Sequence, residues 1–218
     1  MSLFRLDASI RTEGSASREI ADIVEAEWRA GHPDAPVTRR HVGTAPLPAT
    51  AWGEAVSAAG VSEDERTDAQ SDAVALAARL TDELVDADAL LLAVPLYNFG
   101  VSQHLKAWVD LIITDPRMGP GAEPALAGKP AVLVLVHGGN YAAGTPREDW
   151  DHATGWIRRI LADVWQLDVK VVTREFTLVG VNPALDDFTE MAAELRTAAE
   201  AEAAEHGRTL GEAARRAA

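Results

Sequence analysis

The sequence predicts an α/β fold of three layers: a five-stranded parallel sheet in the order 2-1-3-4-5, with helices on both faces. Three observations carry this. Strand-length apolar stretches alternate with stretches of helical period along nearly the whole chain, the pattern of a parallel sheet with crossover helices. Two of the strand stretches, "DALLLAVP" (88–95) and "PAVLVLVHGG" (130–139), contain continuous apolar runs, as expected of strands covered on both faces. The 218 residues suit one domain with a sizeable core.

Taken in order, "SLFRLDAS" (2–9) is a short strand that ends in a polar loop, "RTEGSAS" (11–17). From Ser17 a helix follows, because Ile20, Ile23, Val24 and Trp28 share one face. "PVTRRHV" (36–42) is short and polar, which suits a strand near an edge. Residues 43–68 read as irregular. Within them Ser62 and Glu65 have capping-box spacing, so a second helix is expected to follow, running to about Val85. Leu105, Trp108, Val109, Ile112 and Ile113 mark a third helix after the 88–95 strand. After the 130–139 strand, "DWDHATGWIRRILADVW" (149–165) is a fourth helix and "DVKVVTREF" (168–176) a fifth strand. A last helix runs from Leu185 through Phe188, Met191 and Leu195. The expected organisation is a domain over 1–197 and a helical tail over 198–218, weakly amphipathic, either fraying or docking a partner.

Composition narrows the function. The net charge of -14 repels phosphate backbones and argues against nucleic-acid binding. No apolar run reaches the roughly 18 residues of a membrane span, and the N-terminus lacks the features of a signal peptide. There is no cysteine, which removes disulfides, thiolate metal sites and cysteine catalysis. A cytoplasmic protein is the expectation. His32, His41, His104, His152 and His206 are scattered, without metal-ligand spacing, so no metal site is expected. No G-x-S-x-G elbow is present.

In such a sheet a ligand sits at the carboxyl ends of the strands, near the switch point. The loops after strands 1, 3 and 4 all carry unusual residues. In the first, Ser9, Ser15 and Ser17 surround a helix start, with Gly14 for a tight turn and Arg11 nearby. Helix N-termini and hydroxyls bind phosphate without adding charge. Ser15 or Ser17 would equally serve as a plain N-cap, and Arg11 as a solvated loop residue. Both the P-loop ending and the dinucleotide glycine pattern are absent, so a single phosphate, as in a mononucleotide such as FMN, fits best. In the second loop, Tyr97-Asn98-Phe99 after Pro95 is either a capped turn or a cradle for a planar heteroaromatic ring. Lys106 and Asp110, one helical turn apart, read as a surface ion pair.

The segment "PLYNFGVSQHLKAWVD" closely resembles the P-x-Y-N-F and L-K-x-W/Y-x-D motifs of the FMN-dependent NAD(P)H azoreductases and quinone reductases, flavodoxin-like oxidoreductases. The serine loop and the Gly-Gly-x-Tyr at 138–141 match the same family. The resemblance implies non-covalent FMN with NAD(P)H as hydride donor. Ser9, Ser15 and Ser17, with Arg11, would hold the phosphate. Pro95, Leu96, Tyr97, Asn98 and Phe99 would line the isoalloxazine, and Gly138 and Gly139 would admit its pyrimidine edge. It also implies a homodimer with the flavin at the interface, and two-electron transfer to a quinone, azo compound or similar electron-poor acceptor.

Two departures stand out. Val136 and His137 replace the family's hydroxyl residue and arginine before the glycine pair. His137 is either a loop imidazole without a role or a donor near flavin N1 and O2. His137 and Tyr141 are the candidate proton donors, and no catalytic acid–base group is certain. The 114–128 segment lacks the family's aromatic cover; Arg117 and Gly119 echo only part of its pattern, and Trp52 is a possible substitute from a partner subunit. This leaves open a flavodoxin-type electron carrier, a biosynthetic flavoenzyme acting on one tailored metabolite, or a chain that has lost FMN.

Overall fold

The computed structural model describes residues 1–119 and 121–217. Pro120, inside the 114–128 segment, and Ala218, at the end of the tail, lie outside them. Five strands, β1 (Leu3–Asp7), β2 (Val37–His41), β3 (Ala89–Pro95), β4 (Pro130–Val136) and β5 (Asp168–Arg174), form one parallel sheet in the order β2-β1-β3-β4-β5. Every residue of β3 and β4 is buried, as their unbroken apolar runs require, whereas β2 and β5 lie at the edges and are partly exposed.

Strand side chains alternate between faces, and so do the two cores. Phe4, Leu6, Leu90, Leu92, Leu133 and Leu135 meet α2 (Ala51–Ser57), α3 (Asp68–Val85), α4 (Gln103–Ile112) and α5 (Thr154–Arg158). Leu3, Leu91, Val132 and Val134 meet α1 (Ala16–Gly31) and α6 (Thr189–Ala217). Trp28 and Trp108 are the largest fully buried side chains, one on each face. Among the described residues no helix is long and apolar enough to cross a membrane.

Under α1 the apolar pattern is broken by ions. Arg5 on β1 is buried and donates to Asp7, to Asp22 at 2.6 Å and to Glu25 at 3.0 Å. Glu25 also accepts from Arg29 at 2.8 Å and from Arg39. Burial alone would raise the Glu25 carboxyl, but hydrogen bonds from Arg29, Arg39 and Arg5 outweigh it and hold it below the usual range. The cluster ties α1 to β1 and β2, so the serine loop preceding α1 has a fixed base.

Three local expectations need correction. Residues 43–68 are not wholly irregular, since they contain α2. Ser62 does not cap a helix: its hydroxyl donates to Glu65 across a single 3-10 turn at Glu63–Glu65. The capping box belongs to Thr67 and Gln70, each side chain accepting the other's amide, at the start of α3. Residues 149–153 are loop, because the Asp151 carboxylate accepts the Ala153 and Thr154 amides, both at 2.9 Å, and so starts α5 at Thr154. A π-helical stretch, Arg159–Val164, continues it.

The 197/198 position falls within the uninterrupted 29-residue α6. Ala199, Ala203, Leu210 and Ala214 are buried on the α1 face of the sheet. A Cβ on Gly207 would lie 2.6 Å from the Val24 carbonyl, so the helices approach there only because the residue is glycine. A seam of alanine and glycine carries a weak hydrophobic signal, and so the segment reads as a tail.

Candidate functional site

The C-terminal ends of β1, β3 and β4 open into a cleft of about 420 Å³. One end is the loop after β1. Ser15 caps α1, accepting the Arg18 amide at 3.4 Å, and lies 3.2 Å from the Ser17 hydroxyl. Gly14 has a positive φ of 58° at the turn before it. Ser9, Ser15 and Ser17 are all buried, and all three line the cleft with Arg11. The N-cap role and the lining role therefore coexist: capping uses one lone pair of Ser15, and the first-turn amides of α1 have no intrahelical acceptor.

The loop after β3 forms the middle. Tyr97 and Gly100 exchange backbone hydrogen bonds, and the two residues between them, Asn98 and Phe99, have φ of 49° and 64°. Two successive positive φ values are those of a type I′ turn, and a phenylalanine rarely adopts one. The turn presents Asn98 and Phe99 to solvent. Tyr97 points the other way: its phenol accepts the Ile10 amide at 3.1 Å and lies 3.3 Å from the Ser9 hydroxyl. It thereby links the loops after β1 and β3. Pro95 and Leu96 complete this wall.

The loop after β4 forms the far end. Gly138, Gly139 and Tyr141 line it, but His137 does not. Val136 faces the cleft, so alternation turns the next residue to the opposite face of the sheet. There the imidazole is buried, 3.5 Å from the Asp151 carboxylate, and neither ring nitrogen has a hydrogen-bond partner among the described residues. Burial pushes its pKa down despite the Asp151 charge, which favours the neutral imidazole. Its placement and its burial both work against a positive charge on His137 beside a ring in the cleft. Gly138 also has a packing reason to be glycine: a Cβ there would meet the Leu178 side chain at 2.7 Å.

Sequence reasoning missed the floor and a flank. Thr177, Leu178, Asn182 and Leu185, from the segment after β5, line the cleft. They are held by bonds from the Thr177, Leu178 and Phe176 amides to the carbonyls of His137, Gly138 and Gly139. The Asn182-Pro183 start of a 3-10 turn was the available signal. Arg147 also lines the cleft, and Trp150, 46% exposed, packs edge-on against Phe99 at 5.2 Å. Trp150, packed on the cleft-lining Phe99, is an aromatic of the kind that the 114–128 segment lacks. Arg117 instead pairs with Asp115 at 2.8 Å and Asp82 at 2.7 Å, and Trp52 is exposed on α2. Lys106 and Asp110 form the expected surface pair at 2.6 Å.

The donor set fits a flavin mononucleotide. In a chain of net charge -14 the cleft lining contains two arginines and no carboxylate. Buried hydroxyls surround a helix start at one end, and aromatic and glycine surfaces lie at the other.

Comparison with known proteins agrees with this architecture. Residues 1–201 match the family described as having a flavodoxin-like fold, and the chain belongs to that family. It is 41% identical over 200 residues, 91% of this chain and 94% of the relative, to a protein of Frankia alni named FMN-dependent NADH:quinone oxidoreductase. A similar protein of Streptomyces coelicolor with the same name is 34% identical over 214 residues, covering 96% of this chain and 95% of that one. The crystal structure of an azoreductase from Bacillus anthracis superposes with a TM-score of 0.77 at 20% identity, over 96% of this chain and all of that one, and shares the fold.

Proposed function

We propose that this protein is an FMN-dependent NAD(P)H oxidoreductase that delivers two electrons to a quinone, azo compound or similar electron-poor acceptor. The observation that carries the proposal is the chemistry of the cleft: a carboxylate-free channel with hydroxyls and a helix N-terminus at one end and an aromatic-glycine slot at the other. The names of the relatives support the same reading.

Ser9, Ser15, Ser17 and Arg11 hold the phosphate of the cofactor. Leu96, Asn98 and Phe99 contact its ring, Tyr97 pins the ring wall to the phosphate loop, and Gly138 and Gly139 leave room at the ring's far edge. When bound, FMN supplies two-electron transfer between a nicotinamide donor and the acceptor. The chain's own part is to bind, to orient and to exclude water. Tyr141, half-buried beside the glycine pair, is the group available to hold a proton at its phenol oxygen. The assembly is a cytoplasmic homodimer with the cleft at the interface, and the exposed Trp52 and Val56 on α2 offer apolar surface to a second copy.

Anaerobic mixing with NADH and then menadione tests the function. Bleaching of the flavin bands by NADH and their return with the quinone is the expected result. A flavin that is reduced but returns only through a protein redox partner would indicate an electron carrier instead.

A further inference from the structure

The cleft's two cations stand at opposite ends. Arg11 belongs to the serine loop. Arg147 belongs to the loop after β4, and its guanidinium stands over the open side of Gly139: a Cβ built on that glycine would lie 3.8 Å from Arg147 Nη1 and 3.7 Å from the Tyr141 hydroxyl. Whatever planar edge rests against Gly139 comes within reach of this guanidinium.

Two of the acids that follow Arg147 in the chain are engaged elsewhere. Glu148 accepts the Gly144 amide at 2.8 Å, and Asp151 caps α5. Arg147 itself has no carboxylate partner among the described residues, and its guanidinium carbon lies 5.6 Å from the centre of the Trp150 ring. An aromatic face attracts a cation without neutralising it. In a protein with 34 acidic and 20 basic side chains, an unpaired arginine facing a carboxylate-free cleft is a positive charge aimed at the ligand.

A flavin gains negative charge over N1 and the C2 carbonyl on reduction. A cation at that edge binds the reduced form more strongly than the oxidised one and raises the midpoint potential. His137 does not line the cleft, and its burial favours the uncharged imidazole. Arginine also has the planar fork that would span N1 and O2 together.

We propose that Arg147 is the residue that sets the redox preference of this site, donating to the pyrimidine edge of a flavin seated against Gly139 and favouring its reduced, anionic form. The inference rests on the FMN reading above. Trp150 is a positioning residue that keeps the guanidinium over the slot.

The test compares wild type, Arg147→Ala and Arg147→Lys in redox titrations of the FMN-loaded protein, with affinities for oxidised and reduced FMN measured separately. Arg147 is exposed and its side chain makes no hydrogen bond among the described residues, so both variants fold. Arg147→Ala is expected to weaken reduced FMN at least tenfold more than oxidised FMN, a fall in midpoint potential of about 30 mV for two electrons. Arg147→Lys recovers part of the difference. Trp150→Ala shifts the potential in the same direction by less. Equal weakening of both forms by Arg147→Ala, or an unchanged potential, overturns the inference and leaves the FMN reading intact. Wild-type protein that takes up no FMN overturns the FMN reading and this inference with it.

Discussion

The two ends of the cleft are built differently. The serine end is buried, begins a sixteen-residue helix, and rests on the ionic cluster of Arg5, Asp22 and Glu25. The aromatic end is made of loops, with Phe99 at 37% and Trp150 at 46% exposure and a phenylalanine at positive φ. On the proposed reading the serine end holds a phosphate that is the same for every acceptor, so its site gains from rigidity. The ring edge and the acceptor meet loops, and loops tolerate the changes by which substrate choice diverges. Anchoring and selection are thus separated along one cleft.

The largest effect that would break this contrast comes from a charge at the serine end. Ser17→Asp puts a carboxylate against the phosphate. Like charges about 4 Å apart at an effective dielectric of about 20 repel by about 4 kcal/mol, so FMN affinity falls by roughly a thousandfold. Fluorescence titration reads this directly, and a loss under tenfold would place the phosphate elsewhere.

Next is a block at the other end. Gly139→Val fills the slot where a Cβ meets only ordinary contacts at 3.7–3.8 Å. Misfit of this kind costs about 1–3 kcal/mol, here charged to binding: FMN affinity drops about tenfold or more while the melting temperature holds. A fallen melting temperature with normal FMN affinity would mean that the glycine serves the fold.

Acid separates the ends by pH. His137 has a folded pKa below its unfolded value of about 6.5. Its contribution is present above that value and is lost as pH falls from about 6.5 through the folded pKa, where a buried imidazolium must form. Glu25 is also depressed, but from the carboxylate range of about 4.3. Its contribution is intact above that range and lost only on further acidification. Hydrogen exchange should therefore rise first over 137–153 and later over 16–31. Simultaneous loosening, or the reverse order, would remove the contrast.

The smallest effect tests the aromatic mouth. Trp150→Ala removes an edge-on pair worth about 0.5–1.5 kcal/mol. The KM for a planar quinone should rise about two- to tenfold with kcat nearly unchanged, and an unaltered KM would remove Trp150 from acceptor binding.

Much of this was legible from residue patterns because the signals were local. The unbroken apolar runs of β3 and β4 required double burial, and the serine spacing required a helix start. What stayed hidden depended on geometry that no short window contains. Whether His137 or its neighbour faces the cleft turns on strand parity at the end of β4. The lining from Thr177 to Leu185 became visible only once backbone bonds joined two distant loops. The α6 seam was concealed by its composition, since Ala199, Ala203 and Gly207 pack by closeness and not by bulk. The Ser62 and Thr67 signals competed within a few residues, and hydrogen-bond geometry alone separates them.

The account stands on one ligand occupying both ends of the cleft at once. Its most direct test is the absorption spectrum of the purified protein supplied with FMN, with the released cofactor identified after denaturation. The account predicts a yellow protein with flavin bands, close to one FMN per chain, bleached anaerobically by NADH or NADPH. A protein that stays colourless in excess FMN, with its fold intact by circular dichroism, would contradict it.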